Sequence, residues 1–253
     1  MQNQEADKEI SKKTSPNNYF ILGFFILMSC IALSLSIYFG LTSIKGDSST
    51  VTVKGSASKN IESDKAIWRG QLTFVSTNQA DGYTKTKEQA KQVIDYLVKQ
   101  GFDIKHIKIG HLEHSENIYY LDNGTRVNGG YKFSQIFTIE SNNVDKIEMI
   151  AEKASELLTM GFSFESFYPE YLYTKLNDLK IEMIKRATAD AKGRAIEIAK
   201  SEGCKVSGVA SAQQGIFQIT PINSEEIYDW GMNDTSSRFK TIKSVVTIKY
   251  FLK

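Results

Sequence analysis

The stretch Tyr173–Ala210, YTKLNDLKIEMIKRATADAKGRAIEIAKSEGCKVSGVA, sets the tightest limit on what this chain can build. It reads as a long helix, a glycine stop and entry into a strand. At about 3.6 residues per turn, Leu176, Leu179, Met183, Ile184, Ala187, Ala191, Ala195 and Ile198 fall on one stripe. Leu and Met fill the first half of that stripe and alanine most of the second. A helix whose buried side narrows to alanine brings its backbone close to whatever it covers. Lys192, Glu197 and Lys200 lie off the stripe and suit solvent.

Around this helix the periodicity switches between two and about 3.6. Short strands are expected over 51–57 and 66–77, the second with Trp68, Leu72 and Phe74 on one side and Arg69, Gln71 and Thr73 on the other. A helix over 79–100 carries Tyr83, Ala90, Val93, Ile94 and Leu97 at helical spacing. Two strands flank Asp122-Asn123-Gly124-Thr125, where Asn-Gly signals a hairpin. A second helix starts at Asn143, with Ile147, Ile150, Ala151, Ala154, Leu157 and Leu158 on its face. The aromatic strand FSFESFYPEY, the long helix, a strand over 205–219, a polar loop over 220–238 and a final strand over 239–252 complete the order. Each strand has one apolar and one polar face. That is the requirement of an antiparallel sheet covered on one face by helices, here three of them, and the class is α+β.

The helix ends carry their own signature. Each predicted helix runs into glycine and then an apolar residue: Gly101-Phe102, Gly161-Phe162 and Gly203-Cys204. Glycine takes the left-handed conformation that ends a helix, and the next residue packs back on the last turn.

Residues 19–44 contain no charge. As a helix they would reach about 39 Å, beyond the ~30 Å apolar core of a bilayer, so the run spans it with some tilt. Cleavage after Ser36 would leave Ile37, Tyr38, Phe39 and Leu41 on the new N-terminus, and lipidation at Cys30 would leave a longer apolar remnant. The reading adopted is an uncleaved signal anchor. Lys8, Lys12 and Lys13 on one side balance Lys45, Lys54 and Lys59 on the other, so flanking charge does not orient it. A short tail before a single anchor usually stays in the cytoplasm, which puts the large C-terminal part outside. The expected organisation is a disordered cytoplasmic tail over 1–18, a transmembrane anchor over 19–44, a linker over 45–50 and an α+β domain over 51–253.

Composition removes several functions. The net charge of +2, with lysines scattered, provides no basic face for nucleic acid. Beyond Cys30 a single thiol is left, Cys204, so the domain has no internal disulfide to stabilise it. Phosphate loop, nucleophile elbow, HExxH and CxxC motifs are all missing, and no cofactor is implied.

The late helix pattern Ala187, Asp190, Ala191, Arg194, Ala195, Ala199, Gly203, continuing into Val206 and Val209, resembles the SIMPL-domain family of bacterial envelope and secreted proteins. Weaker echoes are VTVKGSASKNIESDKA, GGYKFSQIFTIE and the FSFESF junction. The family usually has a proline and an acid near Ser63-Asp64; this chain keeps the acid and lacks the proline. The resemblance implies helices on an antiparallel sheet, a tendency to oligomerise and a role tied to envelope stress or interactions. It carries no catalytic residues over.

Candidate sites are few. His106, His111 and His114 lie close together with Glu113 and Glu116. On a regular strand His111 points away from the other two, so a zinc centre there needs a bulge. A metal-dependent hydrolase using the His106–His114 strand is the enzymatic alternative, and a pore or secretion component is another. Asp190 and Arg194, one helical turn apart, suit a half-buried ion pair or a cap on neighbouring backbone. Cys204, just past a helix C-terminus, suits a small buried hydrophobe. Tyr168, Tyr171 and Tyr173, with Tyr228 and Trp230 in the polar loop, exceed what one core can bury and read as an interface. Asp190, Ala191, Arg194, Ala195, Ala199 and Gly203 read as structural. The expectation is a non-enzymatic, membrane-anchored assembly module outside the cytoplasm, with the lipid bilayer (through 19–44) and further copies of itself as partners.

Overall fold

A computed structural model describes residues 16–44, 49–224 and 229–253. The chain divides into two compact units, Met1–Ser49 and Thr50–Lys253. In the first, Pro16 opens helix α1 (Pro16–Ile44), a position where its missing N–H costs nothing. Within α1, Phe20–Gly40 has a mean hydropathy of 2.5 and is long and apolar enough to cross a membrane. Of the expected tail, only Pro16–Asn18 is described, and those residues are helical; most of the linker also lies outside the described residues.

The second unit is α+β. Its elements are β1 (Thr50–Glu62), β2 (Lys65–Ser76), α2 (Gln79–Lys99), β3 (Ile107–Tyr120), β4 (Arg126–Ser141), α3 (Val144–Lys153), α4 (Glu156–Thr159), β5 (Ser163–Ser166), β6 (Glu170–Leu172), α5 (Leu176–Ser201), β7 (Val206–Gln214), β8 (Gln218–Pro221), β9 (Met232–Asn233) and β10 (Phe239–Leu252). The antiparallel, helix-covered strands hold, but they form two sheets rather than one. The first runs β1-β10-β8-β9 with β7 also on β10; the second runs β3-β4-β2-β5 with β6 also on β2. Every pairing is antiparallel except β8 with β9. Period-two alternation fixes which face of a strand is buried, not which strand lies beside it. The chain changes sheets at Ser63-Asp64, where the Ser63 N–H donates to the Arg238 carbonyl (2.9 Å) and the Asp64 N–H to that of Leu172 (3.1 Å).

The interior follows this division. Trp68, Leu72, Phe137 and Ile139 of the second sheet pack under Val93, Leu97, Ile147 and Ile150 of α2 and α3. Val53, Val246, Ile248 and Tyr250 of the first sheet pack under Ala187, Ala191 and Ala195 of α5, and Ile61, Ile219 and Ile242 under Leu179 and Met183. The buried row of α5 is Leu179, Met183, Ala187, Ala191, Ala195 and Ala199, a strict four-residue repeat. Such a row drifts about 40° around the helix at each step, so it follows a twisted sheet and departs from the straight stripe expected. Ile198, expected on the stripe, is consequently 46% exposed. Leu158 and Tyr83 are also exposed; Gly82 and Thr86 take the buried places near Tyr83. The expected second helix breaks at Ala154-Ser155 into α3 and α4.

All three terminal glycines adopt positive φ: +90° at Gly101, +85° at Gly161 and +71° at Gly203. The N–H groups of Phe102, Phe162 and Cys204 close back on the carbonyls of Leu97, Leu157 and Ala199 at 3.2, 3.2 and 2.8 Å.

Candidate functional site

The densest set of ionisable side chains lies where the two sheets meet. Arg238, immediately before β10, donates from Nε and Nη2 to Glu62 Oε1 of β1 (2.9 and 2.7 Å). Its Nη1 reaches Asp145 and Glu148 of α3, the latter at 2.8 Å. One guanidinium thus ties β1 and β10 to a helix of the other sheet, and hydrogen bonds to these three carboxylates push its pKa still higher. Glu148 also accepts the Tyr171 hydroxyl at 2.9 Å. Burial, reinforced by the hydrogen bond to Glu148 and its charge, raises the Tyr171 phenol to about 12.

Lys240 continues the junction. It lies on the same face of β10 as Ile242, Val246 and Ile248 and is 2% exposed. Its ammonium donates to the Tyr171 carbonyl at 2.6 Å and to the Asp234 carbonyl. Desolvation lowers its pKa, and the Asp234 charge opposes the shift. Burial pushes the Asp234 carboxyl up, but the Ser236 hydroxyl (2.7 Å) and N–H (2.9 Å), Ser237 and the Lys240 charge hold it below the ordinary value. The Tyr171 N–H donates to the Thr235 carbonyl at 2.7 Å. Arg238, Lys240 and the Tyr171 phenol are all engaged with partners across this junction. Chemically, the arrangement holds two layers together.

Sequence reasoning missed Arg238 and Lys240. A signal for Lys240 was present: it falls in period two with Ile242, Val246 and Ile248, so a charge was being placed on an apolar face. Arg238 had no comparable signal, since Glu62 is 176 positions away.

The aromatic candidates separate. Tyr168, in the turn ahead of Pro169, is 97% exposed and Trp230 is 82% exposed. Tyr171 is half-buried in the junction, and Tyr173 packs against the Ile61–Leu179 cluster. Tyr228 lies outside the described residues. Tyr168 borders a cleft of about 510 Å³ with Glu148, Glu152, Phe167 and Tyr171. Trp230 borders another of about 580 Å³.

Asp190 and Arg194 pair at 2.9 Å, and Asp190 Oδ2 also accepts the Ser56 N–H at 2.8 Å. The Ser56 N–H, first, and Arg194 hold the Asp190 carboxyl below its ordinary pKa. Among the described strands β1 lies at the sheet edge, so α5 supplies an acceptor to a backbone group that no described strand reaches. Ala191, Ala195 and Ala199 are buried against the sheet and Gly203 ends the helix. Cys204 is half-buried rather than fully enclosed, because the chain turns back toward solvent after the cap.

The histidines spread apart. His106 ends a 3-10 turn, His111 lies 3.1 Å from Glu113, and His114 stacks on Phe133 with ring centroids 6.0 Å apart. A bulge does occur between Ile109 and Leu112, yet no three metal-ligating side chains gather among the described residues.

No curated protein matches the chain. A family model, SIMPL, described as a protein of unknown function (DUF541), matches residues 51–249, a span running from β1 into β10. The late-helix pattern and this match agree: the chain belongs to the SIMPL family.

Proposed function

We propose that this protein is a non-enzymatic SIMPL module, held in the cytoplasmic membrane by α1, that works outside the cytoplasm by assembling with further copies of itself. The observation that carries this reading is the contrast between its ionisable groups and its aromatic ones. Arg238, Lys240, Tyr171 and Asp190 hold layers together, and most of the surface of Tyr168 and Trp230 is left exposed beside clefts. Large exposed rings beside concave surface favour contact with another macromolecule. Membership in a family without an assigned reaction agrees with this.

The test uses the full chain. Alkaline extraction of membranes should leave it in the pellet, and protease added to spheroplasts should remove the 50–253 unit. Light scattering in detergent should find one defined multimer. A monomer at every concentration, or protection from the protease, would overturn the reading.

A further inference from the structure

β3 and β4 form an arm. β2 pairs with β4 only as far as Ser76 opposite Tyr131, whereas β3 and β4 continue through Ile118–Asn128, Tyr119–Val127 and Tyr120–Arg126. Beyond Tyr131 the ribbon has two strands, and at ~3.4 Å per residue it projects about 17 Å. Gly130, at φ +95°, marks the departure: a Cβ there would lie 2.4 Å from the Ser76 carbonyl oxygen.

A two-stranded ribbon is marginal in water, yet this one is firmly closed. The Leu121 N–H donates to the Thr125 carbonyl (2.9 Å), the Gly124 N–H to that of Leu121 (2.8 Å), and the Thr125 N–H to Asn123 Oδ1 (3.0 Å). Arg126 bridges to Glu116 across the strands at 3.4 Å. The closed tip holds Tyr119, Tyr120 and Leu121 out in solvent, with Asp122 beside them.

Among the described clefts, the one beside Trp230 matches that tip; a cleft lined by Ile61, Leu172, Leu176 and Lys240 also has apolar walls, but at about 260 Å³ it is less than half the size. The cleft of about 580 Å³ between the start of α5 and the β7–β8 connection is walled by Leu176, Ile216, Phe217, Trp230 and Met232, with Lys180 held over the Phe217 ring at 5.6 Å. Apolar walls meet the two tyrosines and the leucine, and Lys180 meets Asp122. The cleft beside Tyr168 is rimmed by Glu148 and Glu152, which repel Asp122. The one beside His106 is walled by lysines, Glu140 and small polar groups and has no apolar wall.

We infer that residues 116–130 form an assembly arm whose tip enters the Trp230 cleft of a second copy of this chain. This rests on the self-assembly reading above and assigns its contact. Arm and cleft are different surfaces, so the contact is head-to-tail and builds a ring or a filament, not a two-fold dimer.

Full-length chains in detergent, with Cys30→Ser and Cys204→Ser as background, test it. One population carries Tyr120→Cys and the other Gln214→Cys, at the cleft rim. A short bismaleimide should give dimers when the two are mixed and none with either alone. Dimers from the Tyr120→Cys chain alone, or none from the mixture, overturn the arm. The triple change Tyr119→Ser, Tyr120→Ser, Leu121→Ser should weaken assembly at least tenfold with an unchanged melting temperature. Undiminished assembly of this variant overturns the arm while leaving self-assembly standing. A parent chain that is monomeric throughout overturns the underlying reading as well.

Discussion

Gly55 of β1 lies directly beneath Ala191 of α5: a Cβ on Gly55 would come within 2.4 Å of the Ala191 nitrogen, 2.6 Å of its methyl group and 2.2 Å of the Ala187 carbonyl oxygen. Strand and helix therefore meet backbone to backbone. Gly55→Ala should force α5 away from the sheet and cost about 1–3 kcal/mol, the range for overpacked interiors. At roughly 2–4 °C per kcal/mol for a domain of this size, thermal unfolding should show a drop of several degrees. An unchanged midpoint would mean that α5 is not seated on β1 in this way.

Arg238→Met should remove the shared partner of Glu62, Asp145 and Glu148. All three carboxylates keep some access to water, which screens the effect, so about 1–3 kcal/mol is expected. A double-mutant cycle with Glu148→Gln should give coupling well above the few tenths typical of distant sites. Strict additivity would remove Arg238 from its place at the junction.

Alkali should loosen the fold through two tyrosines. Tyr171 and Tyr96 both have phenols raised from 10.0 to about 12, in each case by burial first and then by a carboxylate, Glu148 or Glu156. A raised folded-state pKa means that the unfolded chain loses its proton first. The stabilisation is thus complete below pH 10 and is lost between pH 10 and 12, at about 1.4 kcal/mol per pH unit for each group. Tyrosinate absorbance in the native protein should show Tyr171 and Tyr96 titrating late, beside Tyr250, whose phenol burial also raises, and Tyr171→Phe should remove one of these late-titrating rings. If every tyrosine titrates near pH 10, the Tyr171–Glu148 contact is absent in solution.

Asp190→Ala should strip the acceptor from the Ser56 N–H and the partner from Arg194. The expected consequence is a stickier edge rather than an unfolded protein, because β1 then presents an unprotected backbone donor. Light scattering over days should register slow aggregation that the parent chain lacks, and Asp190→Asn, which keeps an acceptor, should suppress it.

Much of the local architecture was legible in the sequence because local rules govern it. The three glycine stops announced their own geometry, and the bounds of β10 matched the alternation of Phe239–Leu252. The alanine half of α5 foretold a close approach, and Gly55 is where it occurs. What the sequence hid was relational. The same alternation serves one wide sheet or two, so the change of sheet at Ser63-Asp64 was invisible. The junction is likewise built from residues far apart in the chain, Glu62 with Arg238 and Tyr171 with Lys240. A four-residue repeat reads almost like an ordinary amphipathic stripe, which is why Ile198 was misplaced.

The position of β10 bears on how the molecule is made. Among the described strands β1 pairs with β10 alone, and Thr50 aligns with Phe251 across nearly the whole unit. Such a high contact order predicts slow folding. During synthesis the earlier-made sheet can close on α2 and α3, while β1 waits with both edges unpaired until β10 is translated. A ribosome stalled before Phe239 would therefore hold a half-finished, aggregation-prone chain, and the time to traverse that gap sets how long the nascent protein needs shielding.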